Sequence, residues 1–355
     1  VPVAISSPTY ATREDVKEAL DFKESARANG RIDRAIEAAS RTVEGLLHRR
    51  FYPQTATRYF NWPNAQRARP WRLWLDDNEL ISVTTLSSGG TTIAAADFFL
   101  EPNTTGPPYN RLEVDLDSSA AFGGGDTHQR DITITGLWGF ANDETLVADV
   151  DETMTATETD LDVTDSTGIG VGSILRIGTE RLLVTEKTMK DTGVNIDAAD
   201  SLTASAADVG ITMSTTTGAP TIGETILIDS ERMLVVDKAG AVLTVKRAWD
   251  GTVLATHAAN ADIYAPRTLT VTRGALGTTA ATMAAGDDIY RWDPPAPVRE
   301  LTIAEALTTL LQGQSGYART VGSGENTREM YGRGMREIRQ SVYTSHGRKG
   351  RIRGV

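Results

Sequence analysis

The chain has 355 residues, a formal net charge of -11 and no cysteine. Disulfide scaffolds, cysteine-ligated zinc and thiol catalysis are thereby excluded. No apolar run approaches the ~20 residues that cross a bilayer, and the first residues lack the basic-then-apolar order of a secretion signal, so the expected location is a cytoplasm. The charge is uneven. Residues 141–240 hold 19 Asp/Glu against 6 Lys/Arg, whereas residues 328–355 hold 8 Lys/Arg against 2 Glu. A basic chain end of this kind reads as an interaction arm, and the acidic middle as a solvated surface.

Thr12 and Asp15 form a capping-box pattern, predicting a helix with Val16, Ala19 and Leu20 inward. Ala28-Asn29-Gly30 is expected to stop it, and a second helix to run from about Arg31 to Arg50. There Ile32, Ile36, Ala39, Val43, Leu46 and Leu47 recur at helical spacing, so they share one face. That helix leaves through a basic, aromatic exit, His48-Arg49-Arg50-Phe51-Tyr52, and Pro53 ends it.

Short alternating segments follow: 58–60, 71–75, 80–86, 98–100, 111–114 and 131–136. They predict a small β domain over 55–140. The acidic stretch 141–159 reads as a linker. An internal repeat comes next. Leu243–Tyr264 aligns without gaps on Leu269–Tyr290, with 13 of 22 positions identical, and Gly172–Lys187 resembles Gly223–Lys238. The order front, front, back, back suggests one module nested in another, the inner over about 211–266 and the whole insertion over 160–292; incomplete tandem units are the alternative. After Pro294-Pro295, Val298, Leu301, Leu307, Leu310 and Leu311 return to helical spacing, and a last amphipathic piece spans about Thr327–Tyr343. The expected class is therefore α+β, with a helical domain built from both chain ends (1–54 plus 296–343). The packing core of that domain is assigned to Ile32, Ile36, Val43, Leu46, Leu47, Leu301, Leu307 and Leu310. The basic arm is 344–355.

Catalytic signals are weak. Gly168-Ile-Gly-Val-Gly precedes a strand pattern, so the phosphate site of a helix N-terminus is missing. Asp160, Asp162 and Asp165 lack the sixth-position glycine of a calcium loop, and Val171 stands where its bidentate Glu belongs. His48, His128, His257 and His346 have no metal-type spacing. Met283 replaces His257 in the paired repeat, which favours a packing position. No enzyme, metal or cofactor is expected.

The residues TREDVKEALDF and GRIDRAIEAASRTVEGLLHRRFYP, then TRYF, LWLDDNELISVTTL, GPPYNRLEVD and RDITITGLWGF, resemble the head–tail adaptor (connector) proteins of long-tailed bacteriophages. The likeness covers roughly 10–140 and, more loosely, the helix after Pro297. The repeat resembles a small β module of phage virion proteins, and short adaptors lack it. The resemblance implies a structural virion protein that forms a ring, usually twelvefold, in the neck between the portal and tail-side proteins such as the stopper or tail terminator. It implies assembly in the host cytoplasm, no membrane, and packaged DNA passing through the channel without specific binding. It also implies docking to the portal through the C-terminal segment, where Arg348, Lys349, Arg351 and Arg353 supply charge and Ile352 an apolar anchor. The alternative is a phage surface protein that binds host glycan through its β modules.

Overall fold

The computed structural model describes residues 5–20, 29–63, 69–314, 320–321, 328–329 and 333–349. Helix α1 spans Arg13–Leu20 and α2 spans Asn29–Leu47. The capping box at the start of α1 is formed: Asp15 N–H donates to Thr12 Oγ1 at 3.2 Å, and Thr12 N–H to Asp15 Oδ2 at 2.8 Å. Gly30, expected as a stop signal, lies in the first turn of α2.

Strands β1 (Gln54–Phe60), β2 (Arg72–Trp74), β3 (Leu80–Ser88), β4 (Thr91–Ile93), β5 (Phe98–Glu101), β6 (Arg111–Val114) and β7 (Ile132–Trp138) follow. They form two antiparallel sheets, ordered β1-β7-β3-β4 and β2-β6-β5. Alternate residues of β7 (Ile132, Ile134, Trp138) point inward and meet Leu73, Leu80 and Leu112 in one core.

The next ten strands make one large sheet. They are β8 (Glu144–Asp149), β9 (Asp160–Asp162), β10 (Ile174–Ile177), β11 (Glu180–Asn195), β12 (Gly210–Thr212), β13 (Thr225–Ile228), β14 (Glu231–Ala239), β15 (Val242–Trp249), β16 (Asp262–Thr272) and β17 (Asp288–Trp292). Their order is β12-β15-β14-β13-β16-β11-β10-β17-β8, with β9 also on β16. The stretch read as a linker is part of this sheet, because β8 pairs with β17 from Asp149↔Asp288 to Glu144↔Trp292.

Two apolar cores occupy the sheet. Leu161, Val163, Leu175, Val184, Leu269 and Met283 belong to one; Ile196, Ile211, Ile226, Val235, Val245 and Ile263 belong to the other. The second module is enclosed by the first in chain order and starts near Val194, earlier than residue 211. The long strands β11 and β16 pair from Leu183↔Thr272 to Asn195↔Asp262 and so run through both modules.

Each module is pinned by the same buried ion pair. In the outer one Arg273 Nη2 meets Glu180 Oε2 at 2.8 Å; in the inner one Arg247 Nη2 meets Glu231 Oε2 at 2.8 Å. The remaining guanidinium hydrogens go to matching carbonyls, those of Thr155, Glu158 and Ala281 in one copy and Thr203, Asp208 and Ala255 in the other. This satisfies buried groups that would otherwise cost several kcal/mol.

Helices α3 (Ala296–Gln314) and α4 (Arg333–His346) complete the described chain. The α+β expectation, with a helical domain from both chain ends, is overturned. Strands account for 37% and helices for 20%, in large antiparallel sheets. The physical reason is that the helices close only part of their core among themselves, around Val16, Ile32, Ile36, Ala306 and Leu310, and bury the rest of their apolar faces on strands. Val43, Leu47, Phe51, Leu301 and Val342 share one cluster with Val171, Ile174, Leu183 and Trp292 of the outer β module. Arg13 ties the same surfaces: its Nε donates to Asp33 Oδ1 at 2.8 Å and its Nη1 to Glu186 Oε1 at 2.6 Å. Burial opposes its charge, but the bonds to Asp33 and Glu186 prevail and raise its pKa. Glu186→Gln is expected to cost ~1–2 kcal/mol, because Arg13 keeps Asp33 and loses one charge-assisted partner. A lowered urea midpoint at unchanged slope is the check.

Candidate functional site: a basic cleft at the exit of the second helix

After Leu47 the chain turns at His48, which takes a left-handed φ of 53°. The exit is then fastened from below. The Tyr10 ring meets Phe51 edge-on at 5.5 Å; its hydroxyl donates to Glu44 Oε1 at 2.8 Å and accepts the Phe51 N–H at 3.1 Å. Phe51 is fully buried, so the arginines before it are left at the rim of a cleft of about 500 Å³.

Five arginines line this cleft (Arg41, Arg49, Arg50, Arg58, Arg348) against three carboxylates, Glu44, Asp77 and Glu79. The lining carries a positive excess on a chain whose net charge is -11. Aromatic rings hold two of the guanidinium groups. The Arg58 carbon lies 4.4 Å from the Trp138 ring centre and that of Arg49 lies 4.9 Å from Phe140. Stacking of this kind fixes the plane and leaves the N–H edge free to recognise planar anions. Arg49 Nη2 pairs with Glu79 Oε1 at 2.9 Å, and Arg58 Nη1 donates to Asn78 Oδ1 at 2.6 Å. Burial lowers the pKa of Arg49, with Glu79 opposing and Arg348 adding to the effect. Burial also lowers that of Arg58, helped by Arg50 and Arg348. Glu79 is raised by burial against the pull of Arg49 and Arg348. Burial dominates all three shifts; repulsion among the arginines adds to it for Arg49 and Arg58, and an incoming anion would relieve that part. The cleft offers charge and shape for binding an anionic group. Its described lining holds no Ser, Thr, Cys or Lys.

The C-terminal residues reach this place. Arg348 N–H donates to the Leu47 carbonyl at 2.9 Å. Its guanidinium spans Asp77 at 3.2 Å and Glu79 at 3.4 Å. Lys349 is exposed beside it, while Arg351, Ile352 and Arg353 lie outside the described residues. The first residues of the segment 344–355 continue α4, which ends at His346.

The other assigned residues divide between two clusters. Ile32, Ile36 and Leu310, flanked by Leu307, pack with Val16 and Ala306. Val43, Leu47 and Leu301, flanked by Leu46, pack against the outer β module. Among the described residues no group of three His, Cys, Asp or Glu is placed to hold a metal ion. His257 is buried, as the repeat suggested, but both ring nitrogens have partners: Asp229 Oδ2 at 2.7 Å and Glu231 Oε2 at 3.0 Å. Sequence reading missed Arg58, Glu79 and Trp138 as cleft residues. Only the basic-aromatic run before Pro53 pointed to this place.

Compared with protein-family models, with curated proteins and with solved structures, the chain matches none.

Proposed function

We propose that this chain is a structural subunit of a ring that joins the portal of a long-tailed bacteriophage to its tail. In this reading the ring extends the DNA channel and docks to the portal through the C-terminal segment. One observation carries the proposal. Arg348 bonds the end of α2 and spans the cleft beside Arg49, Arg50 and Arg58. The root of the basic arm therefore sits against the most adaptor-like stretch of the sequence. Arg348 and Lys349, the described basic residues of the arm, continue the basic cleft rim, which suits an acidic face on a partner ring. The predominantly negative chain suits a channel through which DNA slides rather than binds.

Co-sedimentation with the cognate portal ring at rising salt tests the docking mode. Arg348→Glu is expected to weaken co-sedimentation at least tenfold at low salt, with the difference shrinking as salt screens the contact. The Arg348 side chain is about one-fifth exposed and pairs with Asp77 and Glu79, so binding is scored only for a variant that circular dichroism shows to be folded. Undiminished binding of a folded Arg348→Glu chain would remove this residue from the docking surface.

A further inference from the structure

The two β modules carry the same loop, and among the described residues the N-terminal segment covers only the outer copy. In the outer module Gly172 N–H donates to the Val184 carbonyl at 2.9 Å, and Val184 N–H to Ser173 at 3.0 Å. Lys187 Nζ holds the carbonyls of Ser166 and Ile169. The inner module repeats the pattern. Gly223 N–H donates to Val235 at 2.9 Å, Val235 N–H to Glu224 at 3.0 Å, and Lys238 Nζ to the Pro220 carbonyl at 3.1 Å. Gly172 and Gly223 share a positive φ, 102° and 95°.

On the outer loop sits the N-terminal segment of this chain. Arg13 N–H donates to the Val171 carbonyl at 3.0 Å, Val171 N–H to Glu14 Oε2 at 2.8 Å, and Thr9 Oγ1 to the Gly172 carbonyl at 3.2 Å. Arg13 reaches Glu186 on the neighbouring strand. Val171 is 0% exposed as a result. Its counterpart Ile222 is 56% exposed, and Val236 on the adjoining strand is 47% exposed. Asp237 stands, exposed, where the outer copy has Glu186. The acid that receives an arginine is thus retained on a face that has lost its cover.

One replacement decides what can sit there. Thr221 occupies the place of Gly170. A Cβ at Gly170 would lie 2.6 Å from Thr12 Cβ, closer than two carbon atoms can approach, and 2.6 Å from Glu14 Oε2, the end of a flexible side chain that can shift where the Thr12 Cβ cannot. A copy of this chain's own N-terminal segment therefore does not fit the inner loop.

We infer that the inner loop is a docking site for a segment of another protein that runs extended into a helix start. Its chemistry follows from the occupied copy: an arginine for Asp237, a carboxylate at the helix start for the Ile222 N–H, an aliphatic residue over Ile222 in the role of Ile5, which shares a core with Val171, and glycine at the position this chain fills with Thr12. Charge agrees, since residues 192–265 hold 9 Asp/Glu against 4 Lys/Arg. Thr221 is the residue that sets specificity, by size exclusion. The inference stands apart from the ring proposal.

The test uses the full chain and synthetic peptides of residues 5–20, followed by calorimetry. A peptide with Thr12→Gly is expected to bind one per chain, at least tenfold tighter than the unmodified peptide. Glycine remains an acceptable helix cap there. The chain variant Thr221→Gly should bind the unmodified peptide, since the clash is then removed from the other side. Ile222→Asp, at an exposed position and checked for folding by circular dichroism, should abolish binding, as should Arg13→Glu in the peptide. Three results would overturn the inference: no saturable binding at millimolar Thr12→Gly peptide, binding that survives Ile222→Asp, or equal affinity of both peptides. Capture of host polysaccharide by the chain, lost in Ile222→Asp and without peptide binding, would reassign the face to glycan and overturn it equally.

Discussion

Glu231→Ala is expected to lower stability by ~3–5 kcal/mol, the cost of breaking a buried ion pair from one side. Glu231 is fully buried and receives five bonds. Two come from Arg247 at 2.8 Å, two from the backbone N–H groups of Ala248 and Ala255 at 2.8 and 2.9 Å, and one from His257 at 3.0 Å. Removing the carboxylate leaves Arg247, whose side chain is 2% exposed, with carbonyl partners only. The loss should fall first on the inner module, which has its own core, so its amides should exchange before those of the outer module.

Acid should act through the same group. Burial alone would raise the Glu231 carboxyl, but the bonds from Arg247, Ala255, Ala248 and His257 outweigh burial and hold it at about 2. A carboxyl depressed on folding contributes stability above its unfolded pKa and loses it as pH falls toward the folded value. The Glu231 contribution is therefore complete above the ordinary carboxylate range near 4.5 and fades between there and about 2. Urea midpoints over that window should fall steeply in the wild type and less steeply in Glu231→Ala. Glu180 in the outer module is lowered in the same direction: burial opposes, and Arg273, Gly274 and Ala281 prevail. Part of the acid slope should thus remain in the variant.

Two deletions should behave in opposite ways. Removing 141–295 takes away Val171, Ile174, Leu183 and Trp292, the β half of the cluster that covers Val43, Leu47 and Leu301. It also removes Glu186, a partner of Arg13. The remaining helices should not fold cooperatively, and circular dichroism should show no sharp thermal transition. Replacing only 191–264 with an Asn-Gly turn is a different operation. Lys190 and Ala265 are register partners on β11 and β16, so a two-residue turn can close them into a hairpin. That variant should keep a sharp transition. If the larger deletion also melted sharply, the shared helix–sheet core would be refuted.

Much of the local structure was legible in the sequence. The 3.6-residue spacing of Ile32, Ile36, Val43 and Leu47 specifies a helix face, and the gapless match of residues 243–264 to 269–290 specifies a duplicated β unit. Periodicity says which face is buried, but not against what. The face of α2 that suggests a helical partner packs in part on Ile174 and Leu183, which is why the α+β class was misjudged. The stretch 141–159 looked like a linker because it is acidic, yet Ala148, Val150 and Met154 hold buried positions in it. The cleft was the least legible feature. Arg348 is far from Arg49 and Arg58 in sequence, and only the fold brings the three together around Glu79 and Trp138.

The ring proposal meets its most direct test in negative-stain imaging of this chain mixed with its cognate portal ring, with and without residues 344–355. An additional annular tier under the portal, lost on truncation, is the expected result. A folded chain that adds no tier in either sample would contradict the proposal.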